Sequence, residues 1–263
     1  MTPSSRRPLR EPASVTIDPG TVAAAVLDAD GVLTDSRVLR AAAWQDTLDS
    51  YAAQYARATG RPQQALSVPA ELRTELTALL DRDAAAELLR AHGYRSDLAC
   101  RHLGPSGTDL LDLLVGHADQ RFVELLRTEG VKARTGAAVL LLDLRAAGIR
   151  TAAVSTGRHC AELLRNAGLA HLMDGMVDAT DAEHHHLAGP PEPALHQLAL
   201  KLLHSTPGRA VLLTDNQETV TAGHRAGFGS VITVTRHGVG TGAPRNGPAV
   251  QDLEGVFVRP HVR

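Results

Sequence analysis

The chain has 263 residues, which at roughly 100–200 residues per domain makes one large domain or two modest ones. Its 27 Lys and Arg against 29 Asp and Glu leave a formal net charge of −2, which argues against nucleic acid as a partner, because a phosphate-backbone binder needs a basic excess. The two cysteines, Cys100 and Cys160, exclude a disulfide framework, and no apolar run approaches the ~18 residues of a membrane-spanning helix.

Residues 1–20 carry Pro3, Pro8, Pro12 and Pro19, show no hydrophobic period and lack the apolar stretch of a signal peptide. They read as a disordered arm on a soluble, cytoplasmic protein. The run from Thr21 to Leu27 is short and apolar and ends in Asp28-Ala29-Asp30-Gly31, the pattern of a buried strand closing in a turn. Residues 37–135 differ in texture. Helix-like segments at Val38–Ala58, Ala70–His92 and Asp109–Thr128 follow one another, broken by Gly60-Arg61-Pro62 and Gly104-Pro105. With no strand pattern among them, they read as an all-helical insertion.

From residue 136 helices and strands alternate. Ala137–Ala147 stops at Gly148 before the strand Ile149–Val154. A helix from His159 stops at Gly168, and a short apolar stretch lies near Met173–Val177. Ala194–His204 is helical and Ala210–Leu213 a strand; Gln217–Ala226 stops at Gly227 before the strand Ser230–Val234. Glycine takes the left-handed conformation that closes a helix at little cost, so Gly148, Gly168 and Gly227 are read as helix stops. Short links between alternating strands and helices predict a parallel sheet covered on both faces. The tail after about 237 is rich in Gly and Pro, with one short apolar piece at Gly255–Val258.

Three predicted strand exits bear polar residues: Asp28 with Asp30, Ser155 with Thr156, and Asp215. Ligands of open parallel sheets bind beyond the carboxyl ends of the strands, so these residues converge on one pocket. Carboxylates from two loops suit a hard, oxygen-seeking ion such as Mg²⁺. A carboxylate beside a bound phosphate is also a feasible nucleophile.

On these residues a resemblance can be named. Val26-Leu-Asp28-Ala-Asp30-Gly-Val-Leu-Thr-Asp35 resembles the first motif of the haloacid dehalogenase-like (HAD) phosphotransferases. Its continuation Ser36-Arg-Val-Leu-Arg-Ala-Ala-Ala-Trp44 is similar to the β-phosphoglucomutase-like branch. Ile149–Arg158 resembles the second motif, and Leu212-Leu-Thr-Asp215-Asn216 is placed like the fourth. The resemblance, over about 21–235, implies a Rossmann-like core from residues 21–36 and 136–243, a mobile helical cap from 37–135, and a C-terminal tail from 244–263. It implies Asp28 as nucleophile, Asp30 as general acid and base, and Ser155, Thr156 and Arg158 on the substrate phosphate. Mg²⁺ would be held by Asp28, Asp30 and Asp215. The implied activity is hydrolysis of a small phosphorylated metabolite, such as a sugar phosphate, through an aspartyl-phosphate.

Four positions depart from the family pattern. Pro190 stands where the third motif, here Gly189-Pro-Pro-Glu-Pro193, has its lysine, and Thr214 stands where the fourth often has a second acid. Arg40 takes the place of a hinge His, and Ala118-Asp119 that of a Lys-Asn phosphate grip. These departures speak against mutase activity and supply an alternative: a catalytically impaired homologue with a binding or regulatory role. Only two lysines exist, Lys132 and Lys201. Codon bias accounts for the scarcity, yet Arg and Lys are not interchangeable in a site. Lys132 is a candidate substitute for the missing lysine, and Lys201 reads as solvated.

Plainer roles stand beside these. Ser155 and Asp215 are also natural helix N-caps, and Arg158 is open between phosphate binding and a surface position. His184-His185-His186 reads as a surface loop rather than a metal site, and Cys100 and Cys160 as buried thiols.

Overall fold

The computed structural model describes residues 14–60, 86, 89, 90, 109–188, 191–235 and 247–260. Its first strand, β1 (Val15–Ile17), lies inside what the sequence suggested was a disordered arm. The apolar run that follows forms β2 (Ala24–Asp28), all five residues buried. Next come α1 (Arg37–Thr59), α2 (Leu110–Thr128) and α3 (Ala137–Ala146). The alternating half continues as β3 (Arg150–Val154), α4 (Cys160–Asn166), β4 (Gly175–Val177), α5 (Ala179–His184) and α6 (Ala194–Leu202). It ends with β5 (Ala210–Thr214), α7 (Gln217–Ala226), β6 (Ser230–Val234), β7 (Ala249–Val250) and β8 (Val256–Val258).

Among the described residues the main sheet runs β4-β3-β2-β5-β6-β7, with every pairing parallel. The α/β class read from the sequence is therefore the observed one. Alternation along the strands divides the core between the two faces. Ala25 and Leu27 pack with Leu140, Leu144 and Leu163 on one side. Ala24 and Val26 pack with Leu195, Leu200 and Val220 on the other. Gly148, Gly168 and Gly227 all take the left-handed conformation at helix ends.

A third apolar cluster joins Trp44, Leu48, Tyr51 and Tyr55 of α1 to Leu110, Leu114 and Ala118 of α2. Leu39 and Ala43 at the start of α1, and Phe122 and Leu126 toward the end of α2, instead join the sheet's core. The chain entering α1 and the chain leaving α2 also touch. Thr34 bridges Ala133, Arg134 N–H donates to the Leu33 carbonyl at 2.9 Å, and Asp35 N–H donates to that of Lys132 at 3.3 Å. Most of the predicted helix Ala70–His92 lies outside the described residues.

The two ends of the chain correct the reading made from sequence. β1 pairs in parallel with β8, Val15 opposite Val256 and Ile17 opposite Val258, and β7 extends the main sheet beyond β6. Residues 14–20 and 247–260 are therefore ordered where an arm and a tail were expected. The cause is long-range pairing of strands of two or three residues, which leaves no local periodicity to read. Among the described residues no helix is long and apolar enough to cross a membrane.

Candidate active site

Parallel register sets the geometry of the site. Asp28, the last residue of β2, lies opposite Val154 on β3, and its neighbour Leu27 lies opposite Leu213 on β5. The residues that follow each strand therefore emerge at one edge. Asp28, Asp30, Ser155, Thr156 and Asp215 line a single cavity there, together with His196, Asn216 and Thr219. After β2 the chain turns tightly, with Gly31 at φ 88° donating to the Thr34 carbonyl at 2.8 Å and Leu33 N–H donating to that of Asp28 at 3.1 Å. Only glycine enters that left-handed conformation without strain.

Each acid has its own surroundings. The Thr214 hydroxyl donates to Asp28 Oδ2. Burial pushes the Asp28 carboxyl well above its ordinary value; the Thr214 bond opposes this, and the charges of Asp215 and Asp30 reinforce it. Asp30 differs. The Ser36 and Ser155 hydroxyls both donate to it, and Arg40 Nε pairs with its Oδ1 at 2.9 Å. Burial raises this carboxyl too, but the Arg40 charge and the bonds from Ser155 and Ser36 outweigh it, so Asp30 sits below its ordinary value. Asp215 pairs with the Arg37 guanidinium, both side chains being buried.

The plainer roles can now be assigned. The side chain of Asn216 caps α7, accepting from Glu218 N–H at 2.7 Å and Thr219 N–H at 3.3 Å, so Asp215 is not the cap. Ser155 does not cap α4, which starts after His159; its hydroxyl donates to Asp30 and accepts from Gly157 N–H at 3.1 Å. Thr214, read from sequence as a lost acid, holds Asp28 instead. Arg40, read as a lost hinge His, is the counter-ion of Asp30.

Arg158 lies outside this cavity. With Arg40, Trp44, Asp119, Phe122 and Glu183 it lines an adjoining one of about 170 Å³ between α1, α2 and the loop after β3, and its guanidinium pairs with Glu183. Thr156 borders both cavities. Asp119 Oδ2 accepts from His159 Nε2 at 2.9 Å. Lys132 and Lys201 are exposed and line neither cavity, so Lys132 is no substitute for the missing lysine. Pro190 and Cys100 lie outside the described residues. His184, His185 and His186 are exposed, as expected of a surface turn, and Cys160 is buried, its thiol pushed up chiefly by desolvation.

Sequence reasoning missed Arg37 and His196. One signal for Arg37 was available: α1 opens with Arg37 and Arg40 and has no acid in its first turn, against the preference of a helix N-terminus for negative charge. For His196 the signal was a lone histidine on the buried stripe Leu195, Ala199 and Leu200 of α6.

Comparison with known proteins agrees with this geometry. The family model for haloacid dehalogenase-like hydrolases matches residues 22–227. A β-phosphoglucomutase of Mycobacterium tuberculosis is 28% identical over 228 residues, 84% of each chain. Protein CbbY of Cereibacter sphaeroides is 30% identical over 184 residues, 67% of this chain and 80% of that one. The crystal structure of CbbY from Rhodobacter sphaeroides in complex with phosphate superposes with a TM-score of 0.62 at 25% identity, covering 88% of this chain and 95% of the other.

Proposed function

The chain belongs to the haloacid dehalogenase-like hydrolases, in the company of β-phosphoglucomutases and CbbY, and from that membership we propose that it is a Mg²⁺-dependent phosphatase of small phosphate monoesters, sugar phosphates included. The observation that carries the reading is the convergence of Asp28, Asp30, Ser155, Thr156 and Asp215 on one cavity.

Asp28 is the nucleophile. One of its carboxylate oxygens attacks phosphorus in line, the ester P–O bond breaks, and the departing oxygen takes a proton from Asp30. Asp30 then takes a proton from water, whose oxygen attacks the aspartyl-phosphate, releasing inorganic phosphate and restoring the Asp28 carboxylate. Asp30 paired with Arg40 is ionised, a form suited to the second step. The first step needs it protonated, and therefore needs Arg40 to leave it. Arg40 also borders the adjoining cavity, where the rest of the ester has room, so a bound substrate offers the guanidinium another partner. Thr156 borders both cavities, which supports a pose with the phosphoryl group in one and its leaving group in the other.

Three carboxylates around one cavity, two of them raising the Asp28 carboxyl by repulsion, form a donor set of the kind Mg²⁺ takes. Asp28 and Asp215 would hold the ion, with Asp30 joining them only while its carboxyl is ionised. Once bound, the ion would supply positive charge that offsets the repulsion between a carboxylate nucleophile and a phosphoryl group. As the side chains stand, no three acidic, His or Cys groups among the described residues are arranged around a common metal position, and arginines engage Asp30 and Asp215.

The adjoining cavity bears on the substrate. Its arginines are each matched by a carboxylate, Arg40 by Asp30 and Arg158 by Glu183, and Asp119 adds further acid. Trp44 and Phe122 supply apolar faces. A neutral leaving group suits these walls better than a second phosphate, which favours a monoester over a bisphosphate and hydrolysis over mutase chemistry.

The test is turnover of a panel of phosphate monoesters with Mg²⁺ by the wild-type chain and by Asp28→Asn. Turnover lost in Asp28→Asn supports the proposal, and equal rates overturn it. The pairing of Arg37 with Asp215 and Arg40 with Asp30 favours a second reading, an impaired homologue whose arginines compete with the metal. Under that reading Arg37→Gln binds Mg²⁺ at least tenfold more tightly than wild type by calorimetry, while equal affinities exclude it.

A further inference from the structure

His196 is 1% exposed, and neither of its ring nitrogens has a hydrogen-bond partner among the described residues. Buried polar atoms left so are rare and call for an explanation. Packing does not provide one. The buried face of α6 is otherwise Leu195, Ala199 and Leu200, and an apolar side chain of similar size would fill this place without leaving polar atoms unsatisfied. What sets the position apart is its place: His196 lines the same cavity as Asp28, Asp30, Ser155, Thr156 and Asp215.

An anion entering that cavity meets three carboxylates, so it needs donors. The Ser155 hydroxyl is given to Asp30, which leaves Thr156, Asn216, Thr219 and His196 as the other side chains lining the cavity that carry a donor. The Arg40 and Arg37 guanidiniums lie on Asp30 and Asp215. Burial lowers the His196 ring to about 4, so at neutral pH it offers one N–H donor and one acceptor nitrogen without carrying charge.

We propose that His196 is a phosphate-contacting residue of this cavity, its ring N–H donating to an oxygen of the bound phosphoryl group and of the inorganic phosphate product. The inference takes the chemical class of its ligand from the proposed phosphatase reading, and the site itself from the buried imidazole. The contact is to a charged acceptor, where one hydrogen bond changes affinity by roughly 10- to 100-fold. It positions the phosphoryl group and exchanges no proton.

The experiment uses the full chain with inorganic phosphate as probe. Affinity is measured by calorimetry for wild type, His196→Phe, which fills the apolar surroundings without a donor, and His196→Asn, which keeps an N–H. Histidine ring ¹⁵N resonances of the wild type are followed through the same titration. The expected results are a shift of the His196 ring signals on saturation, a 10- to 100-fold weaker Kd in His196→Phe with its unfolding midpoint kept or raised, and recovery of most of that loss in His196→Asn. Ring signals that do not move at high phosphate overturn the inference without any variant having to fold. So does a His196→Phe chain that binds phosphate like wild type. If His196→Phe hydrolyses esters with unchanged kcat/KM, the inference falls and the phosphatase reading stands. If phosphate binding depends on His196 in a wild type that turns over no ester, the inference stands and the phosphatase reading falls.

Discussion

Replacing Arg40 with methionine tests how the site balances its charge. Methionine keeps most of the apolar stem and removes the guanidinium from Asp30 and from the Phe122 ring, over which it sits at 4.1 Å. The paired side chains are 14% and 8% exposed, so solvent does little to screen them. Breaking one partner out of a buried pair costs about 3–5 kcal/mol. The Ser36 and Ser155 hydroxyls stay on the carboxylate, which puts the expectation near the lower end, about 3 kcal/mol at pH 7. In a chain of this size that corresponds to roughly 6–12 °C in Tm. The pH dependence gives the sharper test. Asp30 is held below its ordinary value in the native protein, so its pairing stabilises the fold above the unfolded-chain pKa of about 3.9 and is lost as pH falls through the lower native value. Without Arg40, burial is opposed only by the hydroxyls and the carboxyl rises. The variant then loses stability as pH climbs through that raised value, and its deficit against wild type shrinks toward pH 4. Urea unfolding in EDTA at pH 7 and pH 4, with Asp30→Asn and the double variant completing a cycle, measures both effects. A deficit under about 1 kcal/mol at pH 7, or one equally large at both pH values, would refute the reasoning.

Two further outcomes follow from the same structure. Asp28→Asn, besides abolishing turnover, is expected to stabilise the metal-free protein by about 1–2 kcal/mol at pH 7, because it removes a buried charge from beside Asp30 and Asp215. The native Asp28 carboxyl is raised, so its stabilising protonated form is present below about pH 4 and lost as pH rises; thermal unfolding across pH should show the advantage of Asn growing in that direction. In α7, a Cβ on Gly223 would lie 2.6 Å from Leu212 Cδ2 and 3.0 Å from Val231 Cγ2. Gly223→Ala is therefore expected to cost about 1–3 kcal/mol in urea unfolding despite alanine's better helix propensity, and a stabilised variant would contradict the close packing of α7 on β5 and β6.

The sheet was legible because buried parallel strands leave short apolar runs with a local stop signal. β2 ends at Asp28, β5 at Thr214, and three of the helices close on Gly148, Gly168 and Gly227. Once the pairing is parallel, those strand ends become a single edge, and the acids and hydroxyls just beyond them become a candidate site. The β1–β8 pair was not legible, since three residues at one end of the chain meet three at the other and neither segment has a period.

The counter-charges of the site come from a different part of the molecule, which is why they were harder to read. Asp28, Asp30 and Asp215 announce themselves by position, each at or just past a strand end. Arg37 and Arg40 lie on α1, where they look like ordinary surface arginines until the helix is folded against the sheet. What betrays them is an unfavourable local choice: two cations at a helix N-terminus, each costing about 0.3–1 kcal/mol against the macrodipole, with no acid in the first turn. Local rules broken at a functional site are compensated by contacts made elsewhere, and here the compensation is two ion pairs with buried acids 10 and 178 residues away in sequence. Thr214 follows the same logic at smaller scale. As a residue type it is a missing acid; as a neighbour of Asp28 it is the hydroxyl that opposes the carboxyl's burial. Residue type alone therefore reveals where negative charge is concentrated, while folding decides which groups balance it.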